Sequence, residues 1–367
     1  MRVLLLLLTA CITSLGCQST PASIADRVNL DGSRHHLVLL EGEGLRTGTT
    51  AGASFDEELS RIRLEPSEND SYWTSEWVEL PAFHEMLLSW NVDVEAGCGV
   101  CIEVRVESEE TRSPWLYVGD WGVLPSDLQR TTEFDGGRID IDYFRSDRTY
   151  DRAQARVRAF HVDGSTGECA LHRIALSATS LVTLRPSVPR AEAWPKRLPV
   201  PFRSQRTERP EIAGRICSPT SVSMVLEYRG VDERTGRVAE RIYDTRHDIY
   251  GNWTRAVQGA WTFGVPGFLM RIDDWRVVQQ FIEDGQPLII SFSAREGQLT
   301  GAPYSSTGGH LIVLCGFDEN GDIEVNDPAV SDPNAGRLVY KRSELEEVWM
   351  KRGGTTYVLL DPTREMR

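Results

Sequence analysis

The stretch "RPSVPRAEAWPKRLPVP", Arg185 to Pro201, carries five prolines. Proline has no backbone N–H and a fixed φ, so neither a helix nor a central strand runs through such a segment. It reads as a stiff connector that divides the chain into two halves. A length of 367 residues agrees with that division, since one core seldom organises so long a chain.

The halves differ in texture. Before the connector, "HEMLLSWNVDV", "CIEVRVE", "SPWLYVGDWG", "RIDIDYF", "ARVRAFHV" and "CALHRIALSAT" alternate with period two. In "RIDIDYF", Ile139, Ile141 and Tyr143 fall on one face of a single strand, with Asp140 and Asp142 on the other. "SYWTSEWVEL", from Ser71 to Leu80, reads as an early strand of a jelly roll. Short strands separated by Gly, Asp and Ser clusters predict a β-sandwich over 26–184. After the connector (185–197), the pattern over 198–367 mixes periods. Helices are expected from Pro219, in "DDWRVVQQFIEDG" ending at Gly285, and in "KRSELEEVWM". Strands are expected in "QPLIISFSA", "GGHLIVLCGFDENGDIEVNDPA" and "TTYVLLDP", with Asn320-Gly321 as a hairpin turn. The second half is therefore α+β, a helix followed by an antiparallel sheet.

Formal net charge is -14, which disfavours nucleic acid and anionic lipid as partners. The N-terminal "MRVLLLLLTACITSLGCQST" reads as an export signal (1–17), too short for a stable membrane span. It also resembles a bacterial lipoprotein signal. Cys17 in "SLGC" is the expected lipidation site, ahead of Cys11 in "LTAC", and 18–25 would be a flexible tether. The expected location is the cell envelope, lipid-anchored in the periplasm or at the surface, with secretion lacking a lipid as the alternative. Membrane contact is expected only through that anchor. Cys98, Cys101, Cys169, Cys217 and Cys315 remain. An odd number in an export compartment leaves at least one free thiol.

Cys217 has the context of a reactive one. It precedes Pro219, which suits a first helical turn, so its thiol sits where orphan N–H groups and the helix dipole stabilise a thiolate. The same N–H groups can hold an oxyanion. His310 stands at the mouth of a strand after two glycines, with Leu311, Val313 and Cys315 on the opposite face, so Cys315 is expected in the core. If the Asn320-Gly321 hairpin forms, Asp327 ends near His310 and can fix its tautomer and support its charged form. Taken singly, each residue has a structural reading: a buried cysteine, a sheet-end histidine, a turn aspartate. Together they form the set needed for acyl transfer.

With these residues in view, the second half resembles the papain-like cysteine peptidases of the bacteriocin (double-glycine) leader-peptidase type, in a stand-alone form. The motifs are "VPFRSQ", "CSPTSVSMVLEYRG", "YDTRHDIYGNW", "GGHLIVLCGFDENGDIEVNDPA" and "SELEEVWMKRGGTTYVL", spanning about Leu198 to Pro362. The resemblance implies Cys217 as nucleophile, His310 as general base and then acid, and Asp327 as its orienter. It also implies an oxyanion hole from Gln205 and the backbone N–H beside Cys217, at Ser218. Two departures stand out: Ser218 occupies a position where glycine is commonest, and Gln205 lies twelve residues ahead of Cys217. A peptide or protein substrate is implied and no cofactor. The sandwich could bind wall polymer or glycan, or act as a spacer.

Other features weigh less. Trp253, Trp261 and Phe263 lie in a glycine-punctuated stretch, read equally as a substrate groove or as packing under a loop. Cys98 and Cys101 in "GCGVC" read as a structural pair, oxidised or not, and no metal site is expected. His35, His36 and His84 read as surface or turn residues. A competing function is a non-catalytic papain-like groove that binds peptide or glycan. A third is the same triad passing acyl groups to an amine.

Overall fold

The structure is a computed structural model that describes residues 24–65, 71–161, 167–182 and 194–365. The export signal with Cys11 and Cys17, most of the tether and residues 185–193 of the connector lie outside the described residues.

The first half is mostly β, with twelve strands among the described residues in one antiparallel hydrogen-bonded network. Two long strands change partners along their length. Val78–Val94 pairs with Tyr143–His161 through its first part and with Cys169–Thr179 through its second. Tyr143–His161 then passes to Cys98–Glu107 and Ser71–Thr74. Trp73, Trp90, Phe83 and Phe144 fill the core between these strands.

"RIDIDYF" is not one strand. Gly137–Asp140 and Tyr143–His161 form a hairpin with Ile139 opposite Phe144, and Ile141 turns the corner at φ 63°. Positive φ is costly for a β-branched residue. That turn places Asp142 where the second half can bury it. "SYWTSEWVEL" is likewise broken, into Ser71–Thr74 and the start of Val78–Val94. His35 and His84 are buried rather than on the surface: His35 Nδ1 lies 3.0 Å from Thr179 Oγ1, and His84 Nδ1 accepts the Leu181 N–H.

The second half is an α+β domain. Its antiparallel sheet runs Gly267–Arg271, Thr355–Leu359, Leu288–Ala294, Thr307–Phe317, Ile323–Asn326, Arg337–Tyr340. Lys196–Arg197, read as connector, pairs with Phe317 and Gly316 and so belongs to this sheet. The Cys217–Tyr228 helix packs on the Thr307–Phe317 strand and is buried from Ser218 to Leu226. Its buried hydroxyls are all used: Thr220 Oγ1 donates to Ile216 O, Ser221 Oγ to Leu311 O, and Ser223 Oγ to Thr220 O. Such satisfaction is what allows polar groups on every face of a buried helix.

The halves meet along Gly267–Arg271, the edge strand of the second sheet. On the side away from its partner, the Gly267 N–H donates to Asn91 Oδ1, the Leu269 N–H to Ser89 Oγ and the Arg271 N–H to Ser177 Oγ. Nearby, the Gln258 amide clasps the Val92 backbone twice, at 2.8 and 3.0 Å. Arg271 also pairs with Glu85. Side chains of the first half thus stand in for a missing neighbouring strand.

Candidate active site

Ile216, the residue preceding the Cys217 helix, offers no side-chain cap, and the first turn holds no acidic residue. The positive end of the helix is therefore left to the thiol. Across from it, the Thr307–Phe317 strand presents His310. Gly321 turns the expected hairpin at φ 73°, and Ile323–Asn326 returns in register with Phe317 to Val313. Asp327 follows immediately and meets the imidazole: Oδ1 lies 2.7 Å from His310 Nε2. Nδ1 is left for the Cys217 thiol, with which His310 is in hydrogen-bonding contact.

Asp327 is fully buried and richly donated to. Oδ1 also accepts the Ala329 N–H at 2.9 Å, and Oδ2 accepts the Tyr340 hydroxyl at 2.7 Å and the Tyr304 hydroxyl at 3.1 Å. The Tyr304 ring stands edge-on to the imidazole at 4.9 Å, and the Phe292 ring does so at 5.9 Å. Burial raises the Asp327 carboxyl, but the hydrogen bond and charge of His310, with the Tyr340 hydroxyl, hold it below the ordinary value. Burial lowers His310, and its bonds to Asp327 and Cys217 outweigh that and push it up. Burial raises Cys217, while His310 and the N–H groups of Leu311 and Ser218 bring it below a free thiol. All three shifts favour a thiolate beside an imidazolium.

Cys315 sits in the core at the strand irregularity opposite Val325 and Glu324, and burial pushes its thiol up to about 12. It has none of the features of Cys217. Ser218 is buried, its Oγ 3.2 Å from the Tyr357 hydroxyl. Gln205 is buried, its backbone N–H donates to Pro328 O beside Asp327, and its Nε2 donates to Ala213 O at 2.8 Å. Its Oε1 is buried and has no hydrogen-bond partner among the described residues. The side chain is thus anchored between the loop before Cys217 and the one after Asp327.

The aromatic stretch is a helix, Trp253–Trp261, and its tryptophans face the first half. Trp253 stacks on Tyr143 at 5.8 Å, and Trp261 donates to Asp93 Oδ1 and lies against His172. Phe263 packs on the core. The groove reading of Trp253 and Trp261 gives way to an interface role. Tyr304 and Tyr340 carry no local signal that would have marked them in advance. Cys98 and Cys101 are both buried and are not bonded to each other. Among the described residues no cluster has the make-up of a metal site.

A helix-borne thiol facing a strand-borne imidazole defines a cysteine-peptidase kind of domain. Residues 197–357 match the model of the Peptidase_C39 like family, and residues 30–179 match that of the Peptidase C39 N-terminal domain. The second half is thus similar to the C39-like peptidases, and the first half to an N-terminal domain found with them. A C39-like peptidase from Bacillus anthracis is 18% identical, covering 44% of this chain and 94% of its own, with a TM-score of 0.34. A double glycine motif protease from an AMS/PCAT transporter, in complex with the leader peptide, is 20% identical over 44% of this chain and 92% of its own, at 0.30. The peptidase domain of Streptococcus ComA, a bi-functional ABC transporter, is 16% identical over 40% and 91%, at 0.29. No curated protein matches the chain.

Proposed function

We propose that the chain is an exported, lipid-anchored cysteine peptidase or amidase. Cys217 is the nucleophile, His310 the base and then the acid, and Asp327 the group that orients it. The observation that carries this reading is the Cys217–His310–Asp327 relay at the end of an uncapped helix. The Cys217 thiolate attacks the carbonyl of a peptide or amide bond. Gln205 Nε2 and the backbone N–H at Ser218 stabilise the oxyanion. His310 Nδ1 protonates the leaving amine, and water activated by the same imidazole releases the acyl group. Cys17 carries the lipid and places the enzyme at the cell envelope. The first half is a β-sandwich accessory domain that braces the peptidase sheet.

The test is the rate of Cys217 alkylation by iodoacetamide against pH, in the chain lacking its export segment. The site is mapped by peptide mass, with His310→Ala as the control. We expect fast labelling with an apparent pKa well below the free-thiol value of about 8.5, returning towards that value in the variant. An ordinary thiol profile in both proteins would sink the catalytic reading and leave the groove as a binding site.

A further inference from the structure

Cys98 and Cys101 share one strand, three residues apart, so their side chains leave opposite faces. Cys98 points inward with Val100 and Ile102 and belongs to the core of the first half, as does Cys169. Cys101 lies on the other face with Glu103, and both residues are buried. The partner of Cys98 is found at a distant point of the sequence. Val94, which ends its strand, is in register with Cys169, and the chain turns through Gly97 (φ 78°) to bring Cys98 back against the same corner. Glu95 closes that corner, its N–H donating to Glu168 O and its carboxylate accepting the Glu168 N–H. A Cβ on Gly167 would lie 2.8 Å from Cys98 Sγ. The two thiols are in hydrogen-bonding contact with each other.

We infer that Cys98 and Cys169 are joined by a disulfide in the exported protein, and that Cys101 takes no part in it. The bond forms by exchange with an acceptor disulfide, either oxidised glutathione or a thiol–disulfide oxidoreductase. One thiolate attacks the acceptor and displaces a thiolate, giving a mixed disulfide. The second thiolate then displaces the acceptor's other sulfur. One Sγ–Sγ bond is formed and the acceptor's S–S bond is broken. Two protons leave the protein thiols and are taken up, directly or through water, by the acceptor, which departs as two thiols. Both residues are 1% exposed in the folded domain, so exchange precedes the final closing of the corner. Cys217 is the one half-buried thiol among the described residues whether or not this bond forms, since Cys98, Cys101, Cys169 and Cys315 are all buried. The inference does not depend on the catalytic reading.

The experiment uses the full chain with its export segment, made in a bacterium with an oxidising periplasm. The protein is unfolded without reductant, blocked with iodoacetamide and digested. The expected product is a Cys98–Cys169 linked peptide, 2 Da lighter than its reduced parts, which separates on reduction. Cys101, Cys217 and Cys315 appear alkylated. The Cys101→Ser variant keeps the linked peptide, and Cys169→Ser gives alkylated Cys98 rather than a bond to Cys101. Recovery of both Cys98 and Cys169 as alkylated thiols in the wild-type chain, or of a bond through Cys101, would overturn the inference.

Discussion

Two buried carboxylates, one in each half of the molecule, show how differently burial can act. Asp327 is fully buried, yet two tyrosine hydroxyls, a backbone N–H and an imidazole converge on it and hold its carboxyl down. Asp142, in the tight turn of the first half, is 5% exposed and accepts the Trp253 N–H at 2.6 Å. Burial raises it to about 7, the Trp253 N–H opposes this, and the charges of Asp244 and Asp140 add to the rise. Both sites are dry. The donors around them decide which one holds a charge.

The largest effect should come from removing the penalised group. Asp142 binds its proton more tightly folded than unfolded, so its site is most stable below about pH 4 and loses stability as pH rises through 7. Asp142→Asn keeps an acceptor for Trp253 without the titration. In urea unfolding, its advantage over wild type should grow between pH 5 and pH 8, reaching roughly 2–4 kcal/mol. A difference that stays flat with pH would break the contrast.

Next comes the charge at the other site. Asp327→Asn keeps an oxygen for His310 but removes the partner of the imidazolium, so the His310 pKa should fall. Alkylation of Cys217 at pH 7 should slow by about tenfold to a hundredfold. An unchanged rate would mean that the carboxylate serves the fold alone. The smallest effect is expected at Tyr340→Phe, which removes one of the donors to Asp327 and about 1–2 kcal/mol of stability. Asp327 lies below its unfolded value, so its contribution is present above about pH 4 and fades as pH falls through the folded pKa. With one donor gone, that fading should begin at higher pH in a thermal-unfolding series, and an unshifted series would assign the ionisation of Asp327 to His310 alone.

Much of this site is legible in the sequence because its signals are local. Pro219 marks a helix start behind Cys217, two glycines precede His310, and Asn320-Gly321 sets the register that returns Asp327. What escaped is tertiary. Tyr304 and Tyr340 reach Asp327 from separate segments that no spacing links. The alternation in "RIDIDYF" concealed a turn, because Ile141 adopts a conformation its residue type disfavours. Trp253 and Trp261 have helical spacing, but only the docked first half decides which way they face. In "LLSWNVDV" there was a readable hint. Ser89 and Asn91 alternate with Leu88, Trp90 and Val92, as if both faces were covered, and both are.

That last pattern bears on how the molecule can be divided. Gly267, Leu269 and Arg271 show N–H groups on a side where, among the described residues, their own sheet has no strand, and Asn91, Ser89 and Ser177 occupy them. An open strand edge is a template for any other chain that can extend beside it. A peptidase half cut free at the proline connector would present that template to its own copies and assemble edge to edge. The first half covers one open strand edge of the second for as long as the two stay docked.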